Sequence, residues 1–238
     1  MNQRTEDFPM HRYRALVLAL AFALLPSSAA AQTQFAVSGF GGAFLPASDL
    51  TTGVFFIELA DPPYAGDVAA TFRQKTAIQF GGRLTVWPSQ RFGLEAEAVF
   101  ALSDLNVDVL VPIVDAGPPI TVSLQSGTDV IDGSVFYGSL NGVLALIRPP
   151  LEPLVVFVSG GIGFVSRGGD AGDIFDTKTN VAGTWGFGLK YGVARGVWLR
   201  GDVRDYVYKF KGVDTDELEA KWQNDLLVSG GLEFSFGG

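Results

Sequence analysis

Ser229-Gly230-Gly231-Leu232-Glu233-Phe234-Ser235-Phe236 alternates without a break. In an extended chain Leu226, Val228, Leu232, Phe234 and Phe236 share one face, and Leu227, Ser229, Gly231, Glu233 and Ser235 share the other. Successive side chains of a strand point to opposite sides, so this segment reads as a β-strand. One of its faces is apolar and ends in aromatics, while the other is mostly small or charged.

The opposite end of the chain carries an address. Arg12 and Arg14 precede an apolar run from Ala15 to Leu25, then Pro26, and Ala29-Ala30-Ala31 before Gln32 forms an A-x-A cleavage site. Residues 1–31 read as a secretory signal peptide, too short in its apolar core to span a bilayer. Residues 32–238 are left as one β-barrel domain. Cleavage takes away the single His11, both methionines (Met1 and Met10), three of the 17 basic residues and two of the 25 acidic ones. What remains has no His, Cys or Met and a net charge of −9. Disulfides are then unavailable, so burial and a closed hydrogen-bond ladder must supply stability. So acidic a chain is a poor partner for nucleic acid. No stretch of 32–238 is long and apolar enough for a transmembrane helix, so any spanning structure has to be a closed barrel.

Alternating runs number eight: Gln34–Leu45, Thr76–Trp87, Arg91–Leu102, Asp132–Ile147, Leu154–Val165, Val181–Val193, Val197–Phe210 and Asp225–Phe236. Each suffices for a tilted membrane strand of about 9–11 residues. Pro88-Ser89-Gln90, Arg148–Pro153 and Ala194-Arg195-Gly196 are short, turn-rich connections, whereas 46–75, 103–131, 166–180 and 211–224 are long and Gly/Asp-rich. Short and long connections alternate strictly. The expectation is an all-β, eight-stranded, antiparallel up-and-down transmembrane barrel with short turns and both termini at its periplasmic end. Val54–Leu59 is an apolar stretch inside the first long connection. Val107, Val109 and Val111 alternate opposite Ile120–Leu124, which predicts a β-extension of the third and fourth strands above the membrane rather than a ninth and tenth strand.

The final strand resembles the C-terminal assembly signal of outer-membrane β-barrels: polar, any, Gly, any, any, aromatic, any, aromatic. Ser229, Gly231, Phe234 and Phe236 fill its fixed positions, and Gly237 and Gly238 trail beyond the last aromatic. The whole of 32–238 is similar to the small eight-stranded barrels related to outer-membrane proteins A and X. Leu199-Arg200-Gly201-Asp202-Val203-Arg204-Asp205-Tyr206 resembles their penultimate strand. The resemblance implies an outer-membrane location, apolar faces toward lipid and polar faces toward the lumen. It also implies lipid and lipopolysaccharide as surroundings and the barrel-assembly machinery as a partner. No counterpart of the peptidoglycan-binding domain of outer-membrane protein A is read here, so no cell-wall tether is expected.

Parity then assigns the lumen. Arg200, Asp202, Arg204, Tyr206 and Tyr208 turn inward with Glu95 and Glu97, Gln79, Arg83 and Thr85, Thr184 and Lys190, and Tyr137, Ser139 and Asn141. With Glu233 the inward set carries Arg83, Lys190, Arg200 and Arg204 against Glu95, Glu97, Asp202 and Glu233. An unpaired buried charge costs several kcal/mol, so these groups are expected to pair. Gly81, Gly161, Gly163, Gly186 and Gly188 share that face and are expected to leave room for the arginines. An eight-stranded barrel is just wide enough for side chains to fill, which predicts a plugged interior. Two features resist the scheme. Asp205 falls on the lipid side, where a place near the outer interface would cost little; Phe35 and Phe44 of the first strand have opposite parity.

Without His or Cys, Ser-His-Asp and thiol catalysis and His/Cys metal sites are excluded. Glu95 and Glu97 could form an acid/base pair, but salt bridges to Arg200 and Arg204 are the simpler reading. Asp170, Asp173 and Asp176 do not have EF-hand spacing. Asp214, Asp216, Glu217 and Glu219 keep the outer surface soluble or bridge to lipopolysaccharide through divalent cations. No cofactor and no catalytic or metal-binding residues are expected. The leading functional expectation is a non-enzymatic surface barrel contacting unidentified external ligands through its long loops. A narrow small-solute channel is the alternative, and a soluble lipocalin-like binding barrel is disfavoured by the charged inward face.

Overall fold

Alternation like that of residues 229–236 recurs along the chain, and each such run becomes a strand because every second side chain has a separate environment to enter. The computed structural model describes residues 33–60, 63–115, 121–147, 153–173, 175, 179–210 and 221–237. Eight strands close a barrel: β1 (Gln34–Pro46), β4 (Ala77–Trp87), β5 (Phe92–Ala101), β8 (Ser134–Ile147), β9 (Leu154–Gly168), β10 (Thr179–Ala194), β11 (Val197–Phe210) and β12 (Lys221–Phe236). Their order around the cylinder is β1-β12-β11-β10-β9-β8-β5-β4, with β1 pairing antiparallel to both β12 and β4. The ladder from Phe35↔Phe236 to Pro46↔Asp225 joins the two ends of the chain, so no edge of the cylinder is left open to hydrocarbon.

The two longest connections are more than loops. Residues 46–75 contain β2 (Thr51–Ala60) and β3 (Pro63–Gln74), and residues 103–131 contain β6 (Leu105–Asp115) and β7 (Thr121–Ile131). They form a separate four-stranded sheet, β2-β3-β6-β7. The predicted hairpin beyond the third and fourth barrel strands is therefore present. It is interrupted at 102–104 and 132–133, and it is doubled in width by an unforeseen hairpin from the first connection. Phe72, Val107 and Ile131 pack from this sheet onto the cluster inside the barrel's outer end. The third connection is also shorter than expected, because β9 runs on to Gly168 before the single turn α1 (Asp170–Asp173). Gly169, with φ 75°, makes the left-handed step into that turn. The expected signal peptide, Asp176, most of the Arg148–Pro153 turn and the acidic cluster at 214–219 lie outside the described residues.

Parity settles the first strand. Phe35 faces outward, while Ala36, Ser38, Phe40 and Phe44 are buried inside. The outer wall carries Ile78, Phe80, Leu84, Leu94, Leu140, Ile162, Trp185, Phe187, Leu189, Tyr191, Leu199, Leu232, Phe234 and Phe236, all largely exposed. Only hydrocarbon makes so continuous an apolar belt stable.

This belt predicts a depth-dependent response to charge. Phe187→Arg at the middle of β10 should destabilise the barrel by about 2–4 kcal/mol, and Tyr191→Arg nearer the rim by about 0–1 kcal/mol. Reversible urea unfolding in phospholipid vesicles measures both, and equal costs would contradict the membrane placement of this wall.

Candidate functional site

The inward residues of each strand follow one axial sequence. At the end that carries the short turns, expected to be the periplasmic one, Trp87, Val143, Ala145, Val155 and Phe157 pack together with Trp198. Above them lie the charges. At the outer end Phe44, Leu50, Val99, Ala101, Leu105, Val135, Tyr137, Val165, Tyr208, Phe210 and Leu227 form a second apolar cluster, capped by Ala171 and Phe175. The expectation of a polar lumen is thus refined: the dense ion-paired layer lies in the middle, between two ends dominated by apolar side chains that act as stoppers.

Strands on opposite sides of the cylinder, β4 and β5 facing β10, β11 and β12, bring all eight inward charges of the middle layer into one network across the lumen. Arg200 grips Glu95 with both terminal nitrogens at 2.6 and 3.1 Å and also reaches Asp202 at 3.0 Å and Glu233 at 3.2 Å. Arg204 donates to Glu95 at 2.8 Å, and its Nη1 lies 2.8 Å from Glu97 but off the hydrogen-bond direction. Arg83 donates to Glu97, and to Asp202 and Ser229 at 2.9 and 3.0 Å. Lys190 donates to Glu233 at 2.7 Å. Hydroxyls supply further donors: Thr85 to Glu95, Tyr206 to Glu97, Ser229 to Asp202 and Ser38 to Glu233. Four cations face four anions, and every one of these side chains is nearly fully buried. Such an array is tolerable in low dielectric only because its pairing and hydrogen bonding are this dense.

Two of the inward glycines, Gly81 and Gly188, make room for phenylalanine rings and not directly for the arginines. A Cβ on Gly81 would collide with the Phe40 ring, and one on Gly188 with the Phe157 ring and Asp202. The cleared space admits aromatic rings, on which the guanidinium groups then stack. Arg83 lies 3.7 Å from the Phe40 centroid, and Arg200 lies 4.6 Å from that of Phe157.

A second polar group lies in the outer cluster; parity placed its Tyr137 and Tyr208 inside, but Asp225 and Arg167 were not foreseen. Tyr137 and Tyr208 both donate to Asp225, at 2.9 and 2.8 Å, and Arg167 donates to Tyr208 while stacking 4.6 Å from the Phe210 centroid. Asp225 shares the parity of Ser229 and Glu233, a signal available in the sequence. Arg167 was hidden because the fifth barrel strand was expected to stop at Val165. Gln223, also buried, holds the chain that leaves β1. It donates to the carbonyls of Asp49 and Leu50 at 2.9 and 3.0 Å and accepts from Ser48 at 2.6 Å. Asp205 does lie on the lipid side, but it is only 7% exposed and accepts from Trp185 at 3.1 Å and Asn224 at 3.2 Å. Two neutral donors offset the charge there, not open water. Ser229 and Gly231 of the terminal signal face the lumen, and Phe234 and Phe236 face outward near the periplasmic rim.

Above the barrel, Arg73 of β3 donates to Asp49, and this hydrogen bond holds the Asp49 carboxyl below the usual carboxylate range. A lowered carboxylate stabilises the folded state above its unfolded pKa, and the contribution fades as pH falls through the folded value. An NMR titration of the refolded protein should place Asp49 below about 3.9, and Arg73→Gln should move it upward. In the lumen, Glu95→Gln strips three arginines of a shared anion and should cost about 3–5 kcal/mol in urea unfolding. A loss below about 1 kcal/mol would mean that the network relaxes around the change.

Residues 15–234 match the family model described as outer membrane protein beta-barrel domain. Among solved structures the chain is similar to the outer membrane protein OprG of Pseudomonas aeruginosa, with 13% identity, a TM-score of 0.52, and coverage of 85% of this chain and 95% of that one. It is also similar to the N-terminal β-barrel domain of Pseudomonas aeruginosa OprF (15% identity, TM-score 0.41, coverage 85% and 97%). A third similarity is to the attachment invasion locus protein Ail of Yersinia pestis (9% identity, TM-score 0.37, coverage 86% and 99%). At these identities the OprG likeness bears on fold alone. A search of curated proteins finds no match.

Proposed function

The chain belongs to the outer membrane protein β-barrel domain family, and on that premise we propose that it is a non-enzymatic element of the outer membrane, sealed along its axis and acting through what it presents outside. The observation that supports this reading is the stacking of two apolar stoppers around a charge-balanced layer. A solute crossing the lumen would have to part the Trp87–Phe157 packing, the ion pairs and the Phe175 cap in turn. Glu95 and Glu97, the carboxylate pair considered for acid/base work, are both engaged by arginines and offer no substrate gap.

Outward, the four-stranded sheet gives external partners a built surface, and loops so positioned commonly carry recognition. Outer-membrane lipid and lipopolysaccharide are the partners that suit the apolar belt. The barrel-assembly machinery is the partner that suits Ser229, Gly231, Phe234 and Phe236. Planar-bilayer recording of the reconstituted protein tests the seal. No unitary conductance is expected. Stable unitary steps whose size changes in Arg200→Ala or Glu95→Gln would instead establish the narrow-channel reading.

A further inference from the structure

At the periplasmic end of the charged layer, Lys190 sits in surroundings that resemble a receptor for a cation more than a simple ion pair. Its Nζ is 2.7 Å from a Glu233 oxygen, 4.6 Å from the Trp87 ring centroid and 5.8 Å from that of Phe157. Lys190, Glu233 and Trp87 are all more than nine-tenths buried. Beside them is a void of about 20 Å³, bordered by Trp87, Lys190, Trp198 and Glu233 and, at the rim, by Gln34 and Ser235. That is room for about one water. We propose that this end of the barrel is a binding site for a primary ammonium group, that the protein fills it with its own Lys190, and that a free alkylammonium ion enters when the tethered one is removed.

Charge balance requires a cation at this place. Arg83, Arg200 and Arg204 remain when the lysine is taken away, against Glu95, Glu97, Asp202 and Glu233. The layer is then one positive charge short in a medium where an unmatched charge is costly. Arg200 cannot make up the deficit, because its nitrogens already serve Glu95 and Asp202 as well as Glu233. The carboxylate and rings determine which cation fits. A compact ammonium can donate to Glu233 while its remaining surface meets the ring faces of Trp87 and Phe157, an arrangement favoured when the cation is desolvated. Sodium would have to shed its water for the same rings and find only one carboxylate oxygen.

Because Lys190 is covalently attached, its effective concentration at the cage excludes soluble amines from the native protein. The lysine therefore acts as an autoinhibitory plug at the periplasmic mouth. This consequence rests on the sealed-lumen reading, whereas the cage itself does not.

The test is chemical rescue of Lys190→Ala, refolded as the full barrel in detergent micelles and melted by tryptophan fluorescence. Ethylammonium chloride is compared with sodium chloride at equal ionic strength. Ethylammonium should raise the variant's midpoint saturably, by about 5–10 °C at a hundredfold excess over its dissociation constant. Sodium should not match that rise, and the native protein should not respond. Lys190→Ala/Glu233→Gln, whose charges balance again, should fold without amine and ignore it. If Lys190→Ala alone does not refold, its refolded yield in ethylammonium against sodium becomes the readout. Equal effects of the two salts, or recovery on acidification with no added effect of amine, would overturn the proposal, since Glu233 would then be taking up a proton. Conductance in the native protein would defeat the seal and leave the cage standing; a flat amine response would do the reverse.

Discussion

The structure depends on one constraint: charges placed inside a narrow cylinder wrapped in hydrocarbon must be neutralised by one another. Glu95 is the node of that solution, held by Arg200 on two edges, by Arg204, and by Thr85 from the neighbouring strand. Its arginine partners Arg200 and Arg204 stand on β11, on the opposite side of the cylinder from β5, so the network can exist only after the cylinder has closed. The same charges that would be prohibitive in an open sheet make closure specific. A register slip of one residue would turn Arg200, Asp202 and Arg204 toward lipid.

The largely apolar zones above and below complete the arrangement. Aromatic rings at both ends keep water from the ion pairs, and the low dielectric that results strengthens each contact within. Phe40 and Phe157 mark the transition, since each ring is packed by apolar neighbours or admitted by a glycine on one side and covered by a guanidinium on the other.

Much of this could be read in the sequence, and the boundary of legibility has a physical meaning. A period of two distinguishes inside from outside, so the inward identity of Arg83, Glu95, Glu97, Lys190, Arg200, Asp202, Arg204 and Glu233 followed from counting. The apolar belt and the eight-strand closure followed as well. Position along the axis is a different matter, because it depends on strand tilt and stagger, which a single strand does not encode. Val99, Val135, Val143 and Val155 therefore look like errors of parity until the stoppers are seen. The hairpin at 51–74 was obscured for another reason: its pairing with 105–131 is a long-range contact that local composition does not announce. Arg167 was missed by two residues of strand boundary, whereas Asp225 lay within the expected last strand and was left out of the inward set although its parity matches that of Ser229 and Glu233.

The joints between barrel and outer sheet carry a consequence for how this molecule can change. Each hairpin is attached through a few residues: 47–50 and 75–76 for the first, 102–104 and 132–133 for the second. These joints are fastened by contacts that ignore side-chain identity in the sheet itself, such as Gln223 to the carbonyls of Asp49 and Leu50 and Ser103 to that of Lys75. The tips of the sheet can then drift, lengthen or be exchanged without disturbing the ion layer or the lipid belt. Divergence imposed by the surroundings of the cell would be absorbed outside the membrane, and the scaffold would carry new tips unchanged.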